Sequence, residues 1–180
     1  MGISRTFVGF SSTDILSYRL MCAWKASDKM AFNFIDCQLK NSLNSEDEAY
    51  IKGVCRLRID MAGTYIMLIG KDTKSKYKYV KWEAEVALEK GCRIIGVNLD
   101  KWRYMNPDTC PPVIRNVGAV FVPYFPQIVA HALEDYKMNV SRDWHYPDET
   151  YQKLGYIVSG NTVERQKSLA AILQAIEQKR

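Results

Sequence analysis

Apolar and polar residues alternate along this chain in blocks that predict strands and helices in turn. Short, almost continuous apolar runs are typical of strands that are covered on both faces of a parallel sheet. Apolar residues that repeat every three or four positions are typical of amphipathic helices. Strands are predicted in this way at residues 5–10, 30–36, 64–70, 92–100 and 118–125. Helices are predicted at residues 15–26, 46–61, 78–90, 127–138 and 163–178.

Strands that alternate with helices predict an α/β fold. The pattern favours a flavodoxin-like, doubly wound five-stranded parallel sheet with helices on both faces. We expect residues 1–138 to form this α/β domain. Residues 139–162 are aromatic and irregular, and the helix predicted after them is amphipathic. Residues 139–180 are therefore expected to form a C-terminal helical extension packed on the same domain.

The composition restricts the cellular setting and the partners. The net charge is +5 in 180 residues, and the basic residues are scattered, so no nucleic-acid partner is expected. The five cysteines include no CxxC pair, which predicts reduced, partly buried thiols and no metal site. No apolar run approaches the roughly 20 residues of a membrane span, so we expect a cytoplasmic protein that does not enter the membrane.

Several familiar sites are absent from the sequence. The first strand is followed by GFSSTD rather than by the GxGxxG of a dinucleotide-binding turn, and no GxxxxGK[ST] phosphate loop occurs. His131 lies in the middle of a predicted helix, and His145 lies in the aromatic segment, where nothing pairs it with a nucleophile. A phosphate-accepting receiver domain needs an aspartate at the end of the third strand. This strand ends in LIG, with Asp72 displaced into the loop.

A carboxylate remains as the candidate for chemistry. In a doubly wound sheet the ligand lies beyond the carboxyl ends of the strands, and Glu83 lies in the first turns of the helix after the third strand. Tyr79 and Glu83 are four residues apart and share one stripe of this helix. Glu85 points about 200° away from Glu83, on the side of Lys81. The pattern therefore predicts a surface charge at Glu85 and a carboxylate near a cleft at Glu83.

Three segments carry a resemblance to a known family. They are FVGFSSTD at 7–14, FIDCQLK at 34–40 and the stretch from IKGVCRLRID to IIGVNLD at 51–100. With these segments the chain resembles a TIR-like domain, and more narrowly the bacterial branch found in Thoeris anti-phage defence systems. The match covers about residues 5–136 and is strongest over the third segment.

Two short signatures of that family occur in this sequence. The first strand of the family ends in an aromatic residue followed by serine, here Phe10 and Ser11. The catalytic glutamate of the family follows an aromatic residue by four positions. Here that pair is Tyr79 and Glu83, with tyrosine where tryptophan is usual. The loop after the second strand, CQLKNSLNS, lacks the glycines that are common in other TIR domains.

The resemblance implies a reaction. Catalytic members of the family cleave NAD at the nicotinamide–ribose bond, so Glu83 is implied as the catalytic carboxylate, with NAD as substrate and no further cofactor. Thoeris members release a cyclic ADP-ribose isomer that activates a separate effector protein. TIR enzymes commonly act only when assembled, so a homo-oligomer is implied as well.

Further substrate contacts are expected beside the cleft. Phe10 is expected to stack on the substrate, and Ser11 and Ser12 to offer hydroxyl and backbone N–H groups to the pyrophosphate. Asp36 ends the second strand and is a candidate for contact with a ribose hydroxyl, and Tyr79 completes the set. Plainer roles stay open: Phe10 as a core residue, Ser12 as a helix N-cap and Asp36 as a turn residue.

Two other functions stay open. Some TIR domains are non-catalytic modules that work through protein–protein contact, and this is the principal alternative. A nucleoside deoxyribosyltransferase-like enzyme shares the fold and also uses a glutamate on a comparable helix. The segment KDTKSKYKYVKWE supplies an aspartate but lacks the Gly–Thr type of helix start found in that family, so this interpretation ranks last.

Overall fold

The computed structural model describes residues 5–26, 48–75, 78–136 and 142–157, and this part of the chain contains both strands and helices. The strands are β1 (Thr6–Gly9), β2 (Thr64–Ile69), β3 (Arg93–Asn98) and β4 (Val120–Pro123). The α-helices are α1 (Ile15–Ala26), α2 (Glu48–Asp60), α3 (Lys78–Glu89), α4 (Pro126–Asp135) and α5 (Asp148–Lys153). Short 3-10 helices occur at Ser12–Asp14 and Pro112–Ile114.

The strands form one parallel sheet in the order β1-β2-β3-β4. Val8 pairs with Ile66, Ile66 with Ile95, and Ile95 with Val120. The predicted α/β class and its parallel sheet are confirmed. In a flavodoxin-like sheet the second strand of the chain lies outside the first. The strand predicted at 30–36 falls outside the described residues, so the fifth strand stays a prediction.

Helices lie on both faces of the sheet. On one face, α2 and α3 pack over the strands in a buried core made of Phe7, Ile59, Tyr65, Met67, Ile69, Val80, Ala84, Ala87, Ile94 and Phe121. On the opposite face, the Arg93 guanidinium donates to the Thr64 hydroxyl at 2.7 Å and to the Leu133 carbonyl of α4 at 3.4 Å. Because both faces are covered, the strands have few polar positions, which accounts for their continuous apolar sequences.

Helix and strand bounds agree with the predicted ones to within three residues, and α1 has the predicted bounds. One stretch differs. The segment 139–162, predicted to be irregular, contains α5, so that prediction is wrong in part. Pro147 precedes this helix, Asp148 and Glu149 lie in its first turn, and Lys153 lies in its last. Proline at a helix start and charges that oppose the helix dipole at each end favour this short helix.

The chain divides into two compact units, residues 1–146 and 147–180. Within the first unit, the backbone of Trp144 pairs with that of Val120 in β4. The Phe121 N–H donates to the Trp144 carbonyl, and the Trp144 N–H donates to the Ala119 carbonyl, each at 2.9 Å. The predicted packing of the C-terminal extension stays a prediction, and the helix predicted at its end lies outside the described residues. Among the described helices, none is long and apolar enough to cross a membrane.

Candidate active site

The Glu83 carboxyl lies where α2, α3 and β1 meet. Glu83 is in the second turn of α3 and retains some exposed surface. Its Oε1 accepts a hydrogen bond from the thiol of Cys55 in α2, with Sγ 3.9 Å away. Its Oε2 lies beside Gly9, the last residue of β1. The carboxyl is therefore close to the carboxyl end of β1, at the edge where doubly wound sheets bind ligands.

Gly9 makes room for this carboxyl. A Cβ at position 9 would stand 2.9 Å from Glu83 Oε2 and 2.8 Å from Cζ of Tyr65. Glycine in a strand often marks such a close approach, because any side chain would displace its neighbours. Tyr65 belongs to β2, is fully buried, and donates its hydroxyl to the Val80 carbonyl at 3.4 Å. The end of β1 is thus shaped to accept a carboxyl and a phenol side by side.

Burial controls the protonation of the carboxyl and of its thiol partner. Burial raises the pKa of Glu83 to about 8, and the hydrogen bond from Cys55 offsets part of this rise. Burial, and then the charge of Glu83, raises the pKa of the Cys55 thiol to about 12. At neutral pH the Cys55 thiol is therefore protonated and acts as the donor. The Glu83 carboxyl is also protonated in most protein molecules at this pH. A carboxyl with a pKa displaced this far, near a ligand edge, is a candidate functional group.

Glu85 has a different environment although it is only two residues away. Its Oε1 lies 3.6 Å from Nζ of Lys81, and about half of each side chain is exposed. The predicted surface charge is thus observed at Glu85. Trp82, between the two glutamates, packs against the core, and the Lys52 ammonium lies 5.9 Å from its ring centroid. Trp82 therefore has a packing role between α2 and α3.

The residues of the aromatic–serine signature follow Gly9 directly. Phe10 is half-buried, and its ring stacks on that of Tyr18 with centroids 4.4 Å apart. Ser11 is buried and occupies the N-cap position of the 3-10 helix, without a side-chain cap bond. Its Oγ instead accepts a hydrogen bond from the Thr13 hydroxyl at 3.0 Å. Ser12 is exposed and is the first residue of the 3-10 helix, so the N-cap position considered for Ser12 is held by Ser11.

Tyr79 lies one turn before Glu83 on α3. It is 43% exposed, and the Lys78 ammonium lies 5.6 Å from its ring centroid. The structure thus brings Glu83 to the end of β1, immediately before Phe10, while Tyr79 stands at the start of the same helix. Asp36 falls outside the described residues, so its role stays a prediction.

A second carboxyl, not singled out in the sequence, lies at the same edge of the sheet. The Thr73 hydroxyl donates to Asp14 Oδ2 at 3.2 Å and accepts from the Gly70 N–H at 2.8 Å. A Cβ on Gly70 would stand 2.6 Å from Asp14 Oδ2. Burial raises the pKa of Asp14, and the Thr73 hydrogen bond lowers it in part. The signal in the sequence is Gly70 itself, a glycine that directly follows a buried strand.

Four of the five cysteines lie among the described residues. Cys22, Cys55, Cys92 and Cys110 are free thiols, and all but Cys22 are buried. The burial of three of these thiols agrees with the predicted partly buried cysteines. Over the described ranges, no three His, Cys, Asp or Glu side chains lie close enough together to hold a metal ion.

Comparison with known proteins assigns a family. No curated protein matches this chain. The family described as "Thoeris protein ThsB, TIR-like domain" matches residues 7–104, which is more than half of the chain. The matched segment runs from β1 to the loop after β3, so it includes Gly9, Cys55 and Glu83. The chain belongs to the family of TIR-like domains of the Thoeris protein ThsB.

Proposed function

We propose that this protein is a signalling enzyme of anti-phage defence that cleaves NAD at the nicotinamide–ribose bond, with Glu83 as its catalytic carboxylate. Membership of the Thoeris TIR-like family indicates anti-phage defence signalling, and TIR-like domains are commonly related to NAD-cleaving enzymes. The observation that carries the proposal is the Glu83 carboxyl, held between Cys55 and Gly9 at the ligand edge of the sheet.

The reaction requires one carboxylate. Cleavage of a nicotinamide–ribose bond passes through an oxocarbenium-like transition state, which a nearby negative charge stabilises. Nicotinamide leaves as a neutral molecule from a positively charged precursor, so no general acid has to protonate it. Glu83 must therefore be ionised when it acts. The positive nicotinamide ring of bound NAD favours this ionisation, because an opposite charge within about 4–6 Å lowers the pKa of a carboxyl.

The residues around Glu83 have proposed roles that follow from their positions. Phe10 offers an aromatic ring just beyond Gly9, and Ser11 and Ser12 offer polar groups at the start of the 3-10 helix for the pyrophosphate. Tyr79, which is 43% exposed and lies one turn before Glu83 on α3, is proposed to contact the substrate as well. NAD is the substrate, and the proposal includes no further cofactor.

The product is proposed to be a cyclic ADP-ribose-type messenger that diffuses to a separate effector protein. Cyclisation requires a group of the substrate itself to attack the ribose before water does, so the site must exclude water. We also propose that the protein acts in the cytoplasm as a homo-oligomer. The cyclic product, the cytoplasmic site of action and the assembly all depend on the proposed NAD cleavage.

The test is nicotinamide release from NAD, followed by chromatography. Purified wild type is assayed over a range of protein concentrations, with and without extract from phage-infected cells, because assembly or a trigger is expected to control activity. Glu83→Gln is expected to lower the rate by at least about 100-fold, because it removes the charge that stabilises the transition state. Glu85→Gln is the matched control and should leave the rate within about twofold, since its pair with Lys81 is on the surface.

Loss of activity in Glu85→Gln alone would refute the assignment of Glu83. Full activity in Glu83→Gln would refute the carboxylate mechanism altogether.

The second candidate function is a non-catalytic protein–protein interaction module. The observation that favours it is a pair of exposed apolar side chains at the end of α2: Leu57 on the helix is 66% exposed, and Met61, directly after the helix, is 51% exposed. The same assay decides between the two functions. Absence of turnover by wild type under every condition, including infected-cell extract, favours the interaction module.

A further inference from the structure

The thiol of Cys55 faces the Glu83 carboxyl across the packed helices α2 and α3. Sγ lies 3.9 Å from Oε1, and Cys55 is buried. Burial keeps the pKa of this thiol near 12, so it carries its proton at every pH at which the protein is expected to act. A carboxylate accepts hydrogen bonds and a thiol is a weak donor. When Glu83 is ionised, the hydrogen bond can therefore run only from Cys55 to Glu83.

The second oxygen of Glu83 is held separately. Oε2 lies against the backbone of Gly9, on the side where Tyr65 also packs. The carboxyl is thus bounded by α2 at one oxygen and by β1 at the other.

Four elements of the described part of the chain pack around Glu83 or carry it: α2, α3, β1 and β2. Within the described residues, α2 contributes Cys55 and the positively charged Arg58, whose field acts on the Cys55 thiol. From the sheet, β2 contributes the Tyr65 hydroxyl, and β1 contributes only backbone at Gly9. Of these groups, Cys55 donates a hydrogen bond to the Glu83 carboxyl.

We propose that Cys55 is a positioning residue for Glu83, whose thiol hydrogen bond orients the carboxyl and favours its ionised form. This inference rests on the function proposed for Glu83. A hydrogen bond to the charged form of a carboxyl favours that form, whereas burial favours the neutral one. The hydrogen bond from Cys55 therefore offsets part of the effect of burial on the Glu83 carboxyl, and it favours the ionisation that NAD cleavage requires.

The test measures the ionisation of Glu83 directly. Protein labelled with 13C at glutamate carboxyl carbons is titrated by NMR, and the Glu83 signal is assigned by its absence in Glu83→Gln. Cys55→Ala is expected to raise the midpoint of the Glu83 titration by about half a pH unit, because the donor is gone. Cys55→Val removes the donor but fills the space, and it is expected to shift the Glu83 midpoint in the same direction. It replaces Cys55→Ala in the experiment if the alanine variant does not fold.

Cys92→Ala is the matched control. Cys92 is also buried, and its thiol donates to the Ala62 carbonyl at 3.4 Å rather than to a carboxyl. This variant should leave the Glu83 midpoint within about 0.2 pH unit, since it loses a similar volume and a similar bond elsewhere. A purely structural role for Cys55 would give the same small change in both cysteine variants.

The pH dependence of NAD cleavage gives the second readout. The acid limb of kcat/KM is expected to move upwards in Cys55→Ala by the same amount as the NMR midpoint. An unshifted or lowered Glu83 midpoint in both Cys55 variants would overturn the role of Cys55, whether or not the protein cleaves NAD. A wild type without turnover would overturn the proposed function, and the titration would still decide whether Cys55 controls Glu83.

Discussion

The Glu83 carboxyl is largely buried beside a thiol and a glycine, so folding favours its neutral form, whereas the proposed reaction requires its ionised form. Burial raises the pKa of this group to about 8. A carboxyl in water ionises near pH 4.3. Between these two values the unfolded chain releases a proton that the folded chain retains. The folded state is therefore destabilised progressively as the pH rises from about 4.5 to about 8.

This linkage predicts that Glu83→Gln stabilises the protein in a pH-dependent way. Below about pH 4.5 both the glutamate and the glutamine are neutral, so the two proteins should have similar stability. At pH 8 the variant should be more stable by about 1 to 3 kcal/mol, because it has no proton to lose on unfolding. Thermal unfolding followed by circular dichroism at pH 5, 6.5 and 8 measures the difference.

Glu85→Gln is the control for this prediction. Its carboxylate is exposed and paired with Lys81, so its substitution should change stability by less than about 0.5 kcal/mol at each pH. A difference in stability between wild type and Glu83→Gln that stays constant with pH would contradict a raised pKa of Glu83 in the folded protein.

The close approach at Gly9 predicts a coupling between two residues of neighbouring strands. Gly9→Ala would place a Cβ 2.8 Å from Cζ of Tyr65 and closer still to its hydroxyl, so the free energy of unfolding should fall by about 1 to 3 kcal/mol. Tyr65→Phe removes the hydroxyl and should recover part of this loss in the double variant. Urea unfolding of the two single variants and the double variant measures the coupling. Strictly additive effects would show that the hydroxyl does not occupy the space beside Gly9.

At the scale of elements, the loop after β2 is fixed to the 3-10 helix after β1 by one hydroxyl. Thr73 is fully buried, accepts from the Gly70 N–H and donates to Asp14. Thr73→Val has nearly the same shape but leaves both partners without this hydroxyl, which should cost about 1 to 3 kcal/mol of stability. Thr73→Ser keeps the hydroxyl and should cost less than the valine variant. Urea unfolding compares the two, and equal stability of both variants would refute the role of the hydroxyl.

The elements themselves could be predicted because each carries its own pattern. Continuous apolar runs indicated the strands, and the 3.6-residue period placed Glu83 and Glu85 on different sides of α3 correctly. The short helix α5 was missed because six residues are too few for a clear apolar period. Its start is indicated instead by Pro147 and the two acidic residues after it, which were not used as helix signals.

At the scale of the whole molecule, the site depends on contacts that no local pattern contains. Cys55 and Glu83 are 28 residues apart, and Asp14 and Thr73 are 59 apart. Both pairs form only when helices and loops pack against the same sheet. Cys55 is buried on α2, but the sequence does not specify which side chain of α3 it meets. The reaction came from the family resemblance, since helix geometry alone supported only a carboxylate near a cleft.

Residues that follow α4 in the chain bind back to β4 within the first compact unit. We therefore expect Asp143 to affect the stability of the whole sheet. The Asp143 carboxylate accepts backbone N–H groups from Asn116, Val117 and Ala119 at 2.6, 3.0 and 3.0 Å. Trp144, the next residue, pairs with the backbone of β4. Asp143 thus fixes both the turn that leads into β4 and the segment that covers the edge of that strand.

Asp143→Ala should therefore lower the free energy of unfolding by about 2 to 4 kcal/mol, because three N–H groups lose a charged acceptor at once. Asp108→Ala is the control, since Asp108 is exposed and its substitution should cost less than about 0.5 kcal/mol. Urea unfolding measures both variants. Amide hydrogen exchange should also accelerate at Val117, Ala119 and Phe121 in Asp143→Ala, because the turn and the strand edge open together. Unchanged protection of Phe121 would show that Asp143 stabilises only its local turn and that the sheet edge is held by Trp144 alone.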